Sequence, residues 1–279
     1  MKNPYKKKLL VTGASGNLGK VFCKKYKNKY KIIKFPYRLE QKKKLFQWIS
    51  KHKDAEFFLH LAGLSGKKNL FNKKCFLVNQ ISTINILKIL RILKFKKFKY
   101  FLFASTAHVY KFSNKPIKES YKKNPKSFYA ISKRKVEEYI FKNKNKINFN
   151  IGIARIFNFS NKNQKNGYIL PDLKNYLKKK SSQRAINLNN FNKVRDFIHT
   201  EDVCKALHIL INKSFEGPVN VASGRKVNLI LLAKRYLNKI NSSSNISFNN
   251  TPKQNLYADI SILKKLGFTP KRNMDYLVK

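Results

Sequence analysis

Acidic residues and cysteines are scarce in this chain of 279 residues. Only 13 Asp and Glu oppose 62 Lys and Arg, so the formal net charge is +49 at pH 7. The three cysteines lie far apart, without the spacing of a zinc site, which argues against a structural metal and favours a reducing compartment. No apolar run approaches about 18 residues, and the N-terminus lacks the apolar segment of a signal peptide. We therefore expect a cytoplasmic protein with no membrane partner.

The excess of positive charge raises the question of nucleic-acid binding. Of the 62 basic residues, 53 are Lys and nine are Arg, and the lysines are spread along the whole chain. Specific nucleic-acid sites draw on Arg for bidentate contacts. Abundant Asn, Ile, Phe and Tyr accompany the lysines, which favours a genome-wide bias towards AT-rich codons over a selected polyanion surface. We expect no specific nucleic-acid partner, although the field would attract nucleotides and nucleotide sugars.

Glycine is also scarce, yet three of the ten glycines lie within seven residues: Gly13, Gly16 and Gly19. An apolar strand precedes them, and a helix is predicted to begin at Leu18. A turn from strand to helix through glycines presents free backbone N–H groups at the positive end of a helix dipole, which suits a pyrophosphate. The alternative is a tight turn with no ligand. We interpret the segment as a dinucleotide site.

Short apolar strands alternate with amphipathic helices over roughly the first 160 residues. This alternation indicates right-handed βαβ units and a Rossmann-type, doubly wound parallel sheet in an α/β fold. Strands are predicted at Lys8–Val11, Lys31–Phe35, Glu56–His60, Tyr100–Ala104 and Asn150–Ala154, and helices at Leu18–Tyr26, Lys42–Lys51, Cys75–Leu93 and Phe128–Lys142.

Beyond about Asn158 the alternation loosens. We predict a dinucleotide-binding domain over residues 1–160 and a small interwoven substrate-binding lobe over 161–279, with residues 194–221 returning to the main sheet. Within the lobe, Val194–Leu210 is typical of strand, turn and helix, and Pro218–Val221 of a further strand.

The carboxyl ends of the predicted strands carry the chemistry, because ligands of parallel sheets bind there. The third strand ends in Ala62 and Gly63, whose small size would let a cofactor approach the backbone. The fourth ends in Thr106, and the helix that follows carries Tyr129 and Lys133 on one face. An ammonium beside a phenol lowers the pKa of the phenol, so Tyr129 could exchange a proton near neutrality.

The Tyr-x-x-x-Lys spacing carries no information by itself in this chain. With 14 Tyr and so many Lys it occurs three times, also as Tyr30/Lys34 and Tyr176/Lys180. Its position directly after the Ser/Thr-bearing end of the fourth strand selects Tyr129/Lys133.

Taken together, these motifs resemble the extended short-chain dehydrogenases/reductases, the NAD-dependent epimerase/dehydratase group. They follow the order of that family from about residue 9 to residue 221. The matching segments are Thr12 to Gly19, His60 to Gly63, Ser105 to Tyr110, Tyr129 with Lys133, Arg155 with Asn158, Arg195 to His199 with Asp202 and Val203, and Gly217 to Val221.

The resemblance implies a role for each matching residue. Thr106, Tyr129 and Lys133 would form a catalytic triad, with Tyr129 as the acid/base and Lys133 also on the nicotinamide ribose. Asn158 and Arg195 would hold substrate phosphates. The alternative for Arg195 is a structural ion pair with Asp196. Cofactor contacts would come from Gly13, Ser15, Gly16, Asn17, Leu18, Gly19, Ala62 and Gly63.

Two departures from the family pattern bear on specificity. No acid follows the second strand before Glu40, whereas NAD-specific members hold the adenosine ribose with an acid at the end of that strand; Arg38 could instead pair with a 2′-phosphate, which favours NADP over NAD. His108, preceded by Ala107, stands where the dehydratases carry an acidic pair, which argues against elimination of water. His108 would face the substrate as a second acid/base or as a hydrogen-bonding group. His60 and His199 are interpreted as structural.

Three functional hypotheses follow. The first is an NAD(P)-dependent oxidoreductase or epimerase of a nucleotide sugar, reducing a 4-keto sugar or epimerising a hydroxyl. The second is an NADPH-dependent reductase of a small non-nucleotide carbonyl compound. The third is a non-catalytic dinucleotide- or RNA-binding protein on the same fold. The resemblance also implies a homodimer, formed through the helices at Cys75–Leu93 and Phe128–Lys142.

Overall fold

A computed structural model describes residues 6–161, 164, 166–189, 191–249, 254–271 and 274–278. The first half of the chain alternates strictly between strands and helices, as predicted. Its elements are β1 (Lys7–Thr12), α1 (Asn17–Tyr26), β2 (Tyr30–Lys34), α2 (Lys42–Lys51), β3 (Phe57–His60), α3 (Ser82–Leu93), β4 (Tyr100–Thr106), α4 (Phe128–Lys142) and β5 (Asn150–Ile156).

The second half contains shorter strands between its helices. Its elements are β6 (Asn158–Ser160), α5 (Ile169–Lys180), β7 (Ala185–Asn187), β8 (Val194–Arg195), β9 (Phe197–His199), α6 (Thr200–Lys213), β10 (Gly217–Val221), β11 (Val227–Asn228), α7 (Leu229–Lys239), β12 (Asn245–Ser247) and α8 (Ser261–Lys265).

One six-stranded sheet organises the molecule, with the strand order β10-β5-β4-β3-β1-β2 and parallel pairing throughout. The chain moves outwards from β1 to β2 and then returns to β3 on the other side of β1. The carboxyl ends of β1 and β3 therefore flank the point where the strand order reverses, which is where doubly wound sheets bind ligands. This confirms the predicted fold class.

Helices cover both faces of the sheet. On one face, α1 and α6 pack on each other over Phe22, Tyr26 and Leu207. On the other, α2, α3 and α4 enclose an aromatic-rich core that includes Trp48 and Phe101. All seven residues of β4 are buried, because a parallel strand covered on both faces has no solvent side.

The lobe is built from paired short strands rather than from a second large sheet. Of the segment predicted to return to the main sheet, Gly217–Val221 joins it as β10 beside β5. The earlier part does not: β9 pairs with β6, and β8 pairs with β11, in two-stranded sheets. The proposed boundary near residue 160 stays a prediction.

The helix before β4 has two features that the sequence did not predict. Its first part, Phe76–Ile81, is π-helical, a form that accumulates at functional sites. Among the described residues, Phe76–Leu93 is also long and apolar enough to cross a membrane by length and composition, with mean hydropathy 1.4 over 18 residues. This segment is not a continuous apolar run, because it contains Asn79, Lys88 and Arg91. Its residues Ile86, Leu87 and Leu90 pack in the core against the sheet.

Candidate active site

The glycine-rich loop between β1 and α1 is closely packed. Gly13 has a φ of +72°, and a Cβ there would lie 2.5 Å from the Ala62 nitrogen. A Cβ on Gly19 would lie 2.1 Å from the Gly13 oxygen. Both positions therefore require glycine, and the loop lies directly against the Ala62 segment that follows β3.

The amino end of α1 is open to an anion. Gly16 caps the helix without a side-chain hydrogen bond, and the first turn has no acidic residue. Ser15 and Gly16 are exposed, whereas Asn17 and Leu18 are half-buried. Because the first N–H groups of a helix have no partner within it, this turn fits a pyrophosphate.

Asn79, in the π-helical turn, holds the segment after β3 in place. Its Oδ1 accepts the Leu64 N–H at 2.7 Å, and its Nδ2 donates to Leu64 O at 3.1 Å and to Ser132 Oγ at 3.3 Å. A Cβ on Gly63 would lie 2.9 Å from this Oδ1 and 3.2 Å from Lys133 Nζ. Sequence reasoning missed Asn79, although it is a polar residue within an apolar helical stretch.

Tyr129 stands in the first turn of α4, whose amino end is capped by Ser127 Oγ, the acceptor of the Ala130 N–H at 3.2 Å. Burial raises the pKa of Tyr129 to about 12, and a hydrogen bond with Thr106 partly offsets that effect. The structure thus brings two of the three predicted catalytic side chains into contact. The expectation of a lowered phenol pKa is not met in this arrangement.

Lys133, one turn further along α4, is 4% exposed. Its Nζ donates to Ala104 O at 2.8 Å and lies 4.8 Å from the centre of the Phe103 ring. Burial lowers its pKa to about 8. The ammonium is thus held beside the end of β4, next to Gly63, by a backbone carbonyl rather than by a carboxylate.

His108 follows Thr106 in a short turn, and its backbone N–H donates to Thr106 Oγ1 at 3.3 Å. Burial, reinforced by the nearby Arg195, lowers the pKa of His108 to about 4. The imidazole is therefore neutral at physiological pH. A neutral imidazole can donate one hydrogen bond and accept another.

Arg195 lies on β8 and Asn158 on β6, in two different two-stranded sheets. Arg195 Nη1 donates to the carbonyls of Val194 and Gln254, and its guanidinium lies 5.7 Å from the Phe112 ring. Asn158 Nδ2 donates to Asp196 O at 3.4 Å.

Asp196 does not form the ion pair considered from the sequence. Its carboxylate accepts the Ser223 N–H at 2.8 Å, the Ser223 hydroxyl at 2.7 Å and the Gly224 N–H at 2.9 Å. The Asp196 carboxylate therefore holds the turn after β10, and the Arg195 guanidinium donates to backbone carbonyls instead of to that carboxylate.

Arg38 lies apart from these groups, in the exposed loop between β2 and α2. Its carbonyl accepts the Gln41 N–H at 3.2 Å. No described contact joins its guanidinium to the glycine-rich loop.

Two contacts between residues outside the predicted set also border the site, one between Tyr168 and Ser65 and one between Lys67 and Gly167. Tyr168, just before α5, places its hydroxyl 3.2 Å from Ser65 Oγ and contributes to the raised pKa of Tyr129. Lys67 N donates to Gly167 O at 2.8 Å, so the loop after β3 meets the lobe here. Nothing in the local sequence signals this contact between segments about 100 residues apart.

The histidines interpreted as structural have contacts that fit that role. His60 is buried between Thr12 Oγ1 (2.6 Å from Nδ1) and Thr83 Oγ1 (2.8 Å from Nε2), and burial keeps its pKa well below the usual value. His199 Nδ1 accepts the Glu201 N–H at 3.2 Å and caps α6.

The chain matches the NAD dependent epimerase/dehydratase family over residues 9–228. It is 30% identical over 224 residues to the GDP-6-deoxy-D-talose 4-dehydrogenase of Aggregatibacter actinomycetemcomitans, covering 78% of this chain and 74% of the relative.

Two solved structures share the fold. RMD from Pseudomonas aeruginosa, complexed with NADPH, superposes with a TM-score of 0.83 at 21% identity, covering 98% of this chain and 96% of the other. UDP-glucose 4-epimerase of Thermus thermophilus, complexed with NAD, has a TM-score of 0.79 at 18% identity, covering 98% and 96%. The strand order, the glycine-rich loop and the family match agree. The chain belongs to the NAD-dependent epimerase/dehydratase family.

Proposed function

We propose that this protein is an NAD(P)-dependent oxidoreductase or epimerase that acts on a nucleotide sugar at a hydroxyl or keto group. The observation that carries the proposal is the grouping at the carboxyl end of β4. Tyr129 lies close enough to Thr106 for that side chain to lower its pKa against burial, and Lys133 Nζ donates to Ala104 O of the same strand, beside Gly63. A proton donor and a cation thus stand next to the segment that lies against the glycine-rich loop.

The glycine-rich loop supports a bound dinucleotide. The uncapped turn at Gly16 to Gly19 would hold the pyrophosphate, and Ala62 and Gly63 would contact the nucleoside portions. Lys133 would bind the nicotinamide ribose. When bound, the nicotinamide supplies or accepts the hydride. No acid stands at the end of β2 before Glu40, and Arg38 lies in that loop, which supports NADP over NAD.

The protonation state of Tyr129 supports reduction of a carbonyl as the chemical direction. With a pKa raised to about 12, the phenol is neutral at pH 7 and can donate its proton to an oxygen that gains negative charge. Thr106 fixes the phenol by a hydrogen bond. The opposite direction needs a phenolate, which a protonated Lys133 would stabilise.

A nucleotide-sugar substrate is supported by three polar groups, which lie on β6, on β8 and in the turn after β4. Arg195 and Asn158 would bind the diphosphate, and neutral His108 would hydrogen-bond the sugar. The relative at 30% identity is named for a 4-dehydrogenase of a GDP-linked 6-deoxy sugar, which supports redox chemistry at the sugar C4.

A panel of nucleotide sugars and 4-keto nucleotide sugars, incubated with NADPH or NADH, tests the proposal. Absorbance at the nicotinamide band reports net redox, and product NMR reports the new stereocentre. We expect turnover that disappears in Tyr129→Phe and persists in Tyr176→Phe. Tyr176 belongs to the other helical Tyr-x-x-x-Lys pair, and its hydroxyl contacts Asn187 O.

The outcomes separate the hypotheses. Net consumption of NADPH indicates a reductase, whereas product without net redox and a retained dinucleotide indicates an epimerase. Turnover of small carbonyl compounds that survives Arg195→Ala would replace the nucleotide-sugar assignment with the second hypothesis. Salt-resistant RNA binding without any Tyr129-dependent turnover would refute catalysis.

We further propose a cytoplasmic homodimer. Leu77 and Ile81, one turn apart in the segment before α3, are 47% and 48% exposed, and they lie on one of the two helices that the family resemblance places in the dimer interface. Light scattering of the wild type and of Leu77→Asp would show whether this face joins two copies.

A further inference from the structure

A groove of about 760 Å³ runs between α1 and the outer edge of β2, on the side of the sheet away from β4. Ala14, in the glycine-rich loop, lies at one end. Lys6, before β1, lies at the other end. The groove is bordered by six lysines: Lys6, Lys20, Lys24, Lys27, Lys31 and Lys34.

These lysines have no acidic counterpart. No Asp or Glu lines the groove, and within the described part of the chain none of the six forms an ion pair. Lys20, Lys24 and Lys27 follow a helical spacing that places them on one side of α1, and all three are exposed. The groove is therefore a line of solvated cations whose charge nothing in the described protein neutralises.

The edge strand adds backbone donors to the same surface. β2 pairs with β1 alone, and the N–H of Phe35 donates to Val11 O at 2.9 Å. Because successive N–H groups alternate in direction along a strand, those of Ile32 and Lys34 face the open edge. Both residues line the groove. Backbone N–H groups and ammonium groups together recognise oxyanions.

The amount and spread of charge indicate a chain of phosphates rather than one phosphate. A phosphate monoester carries about two negative charges, which two lysines balance. Here six lysines border a strand of five residues, roughly 16 Å long. A ligand that matches these six lysines in charge and length carries several phosphates in a linear chain.

Aromatic stacking, which single-stranded nucleic acids require, has no platform here. Tyr30 is the aromatic residue of the groove lining, and it is 2% exposed. Its hydroxyl contacts His208 Nδ1 at 2.9 Å and Asn212 Oδ1 at 3.0 Å. The bases of a single-stranded nucleic acid would therefore add little to the binding affinity that its phosphates provide.

We propose that the groove between α1 and β2 is a second anion site, which meets the glycine-rich loop at Ala14 and is otherwise lined by residues outside the candidate active site, and that it binds a linear phosphate chain. The inference stands on the groove alone and holds whatever reaction the active site performs.

Binding of inorganic tripolyphosphate and of a longer linear polyphosphate to the full chain, without dinucleotide, tests this site. Calorimetry over a series of salt concentrations gives the dissociation constant and its salt slope. The groove variant is Lys24→Gln/Lys27→Gln/Lys31→Gln. The matched control is Lys96→Gln/Lys97→Gln/Lys142→Gln, which removes the same number of charges from exposed positions outside the groove.

We expect the groove variant to bind the longer polyphosphate about 100-fold more weakly at 0.1 M salt, with a salt slope smaller by about two, because each phosphate contact releases a counterion. The control should change binding by no more than about twofold, and both should keep the wild-type melting temperature. Equal losses in the two variants would show that net charge alone attracts the ligand, and would overturn the proposal. So would a loss confined to a single-stranded oligonucleotide.

Discussion

Two buried cations, Arg155 on β5 and Lys133 on α4, differ in whether a carboxylate neutralises them. Arg155 is 1% exposed and faces Glu137 of α4: its Nε donates to Oε1 at 3.0 Å and its Nη2 to Oε2 at 2.8 Å. Burial opposes the charge, but Glu137 outweighs it and raises the pKa of Arg155. Lys133, four residues before Glu137, has a backbone carbonyl as its acceptor, and burial lowers its pKa to about 8.

The comparison teaches how this fold separates stability from function. Glu137 also accepts the Ser105 hydroxyl at 2.6 Å and an N–H of Arg134 at 3.1 Å, so its carboxylate joins β4, β5 and α4. That network aligns the helix on which Tyr129 and Lys133 stand. Lys133 is left with unused hydrogen-bonding capacity that a ligand can complete. The paired charge of Arg155 holds the scaffold, and Lys133 keeps donors that a ligand of the proposed site would use.

The largest expected effect concerns Tyr129, which lies one turn before Lys133 in the candidate active site. Tyr129→Phe should lower kcat about 10²- to 10⁴-fold, because it removes the proton donor and leaves the ring. Its free energy of unfolding should change by only about 1 kcal/mol, the contribution of one hydrogen bond. Steady-state kinetics and urea unfolding measure the two quantities. Retention of more than a tenth of the wild-type kcat would remove Tyr129 from the proposed role.

The next effect concerns the scaffold. Glu137→Leu leaves the Arg155 guanidinium buried without its carboxylate, and we expect the free energy of unfolding to fall by about 3–5 kcal/mol. The neighbouring Glu138 is 44% exposed and pairs with Arg134 and Lys135, so Glu138→Leu should cost less than about 1 kcal/mol. Urea unfolding of both variants measures the two losses of unfolding free energy. Equal losses would mean that the buried pair does not hold the helix.

A smaller effect follows from the lowered pKa of Lys133. In the folded state it binds its proton less tightly than in the unfolded state, whose pKa is near 10.5. The resulting penalty on stability is complete below pH 8 and is relieved as the pH rises towards 10.5. Lys133→Met should therefore be more stable than the wild type at pH 7, by on the order of 2 kcal/mol, with the difference shrinking up to pH 10.5.

The control for that measurement is Lys135→Met on the same helix, where the side chain is 55% exposed. It should show no such pH-dependent difference. A Lys133→Met variant that is less stable than the wild type at pH 7 would mean that the ammonium is better solvated than its burial indicates.

The smallest expected effect is that of His108. With a pKa lowered to about 4, the imidazole does not titrate between pH 5 and 8. His108→Gln should therefore leave the shape of the kcat profile unchanged over that range and raise KM by up to about tenfold, the loss of one hydrogen bond to the sugar. The partly exposed His52→Gln provides the comparison. A profile limb near pH 6.5 that vanishes in His108→Gln would instead make His108 a second acid/base.

Local patterns were sufficient for the main elements. The strand at Lys8–Val11 was predicted within one residue at each end, and the helix at Phe128–Lys142 with both ends correct, because hydrophobic period and capping residues are local signals. The Tyr129/Lys133 pair could be selected from three candidates by its place after β4. The ion pair with Asp196, which was the alternative considered for Arg195, does not form, because Arg195 donates to Gln254 O whereas Asp196 accepts from Ser223, and adjacency in sequence does not reveal these distant partners.

Other features of the site depend on contacts between distant segments. Asn79 meets Leu64 across 15 residues, and Tyr168 meets Ser65 across 103. No local periodicity encodes which loops approach each other. The direction of the Tyr129 pKa shift was missed for the same reason: burial depends on the whole surrounding structure, and it outweighs the lowering effect of Thr106 on the pKa of Tyr129.

The sequence by itself determined the alternation of strands and helices, the glycine-rich turn and the residue types at the strand ends, since these depend on neighbours within a few positions. The tertiary structure decided which charges are paired. Arg155 pairs with the Glu137 carboxylate, whereas Lys133 donates to a backbone carbonyl. Six lysines border the groove at the open edge of β2. Charge pairing depends on burial and on distances between remote segments, and only the packed chain defines both.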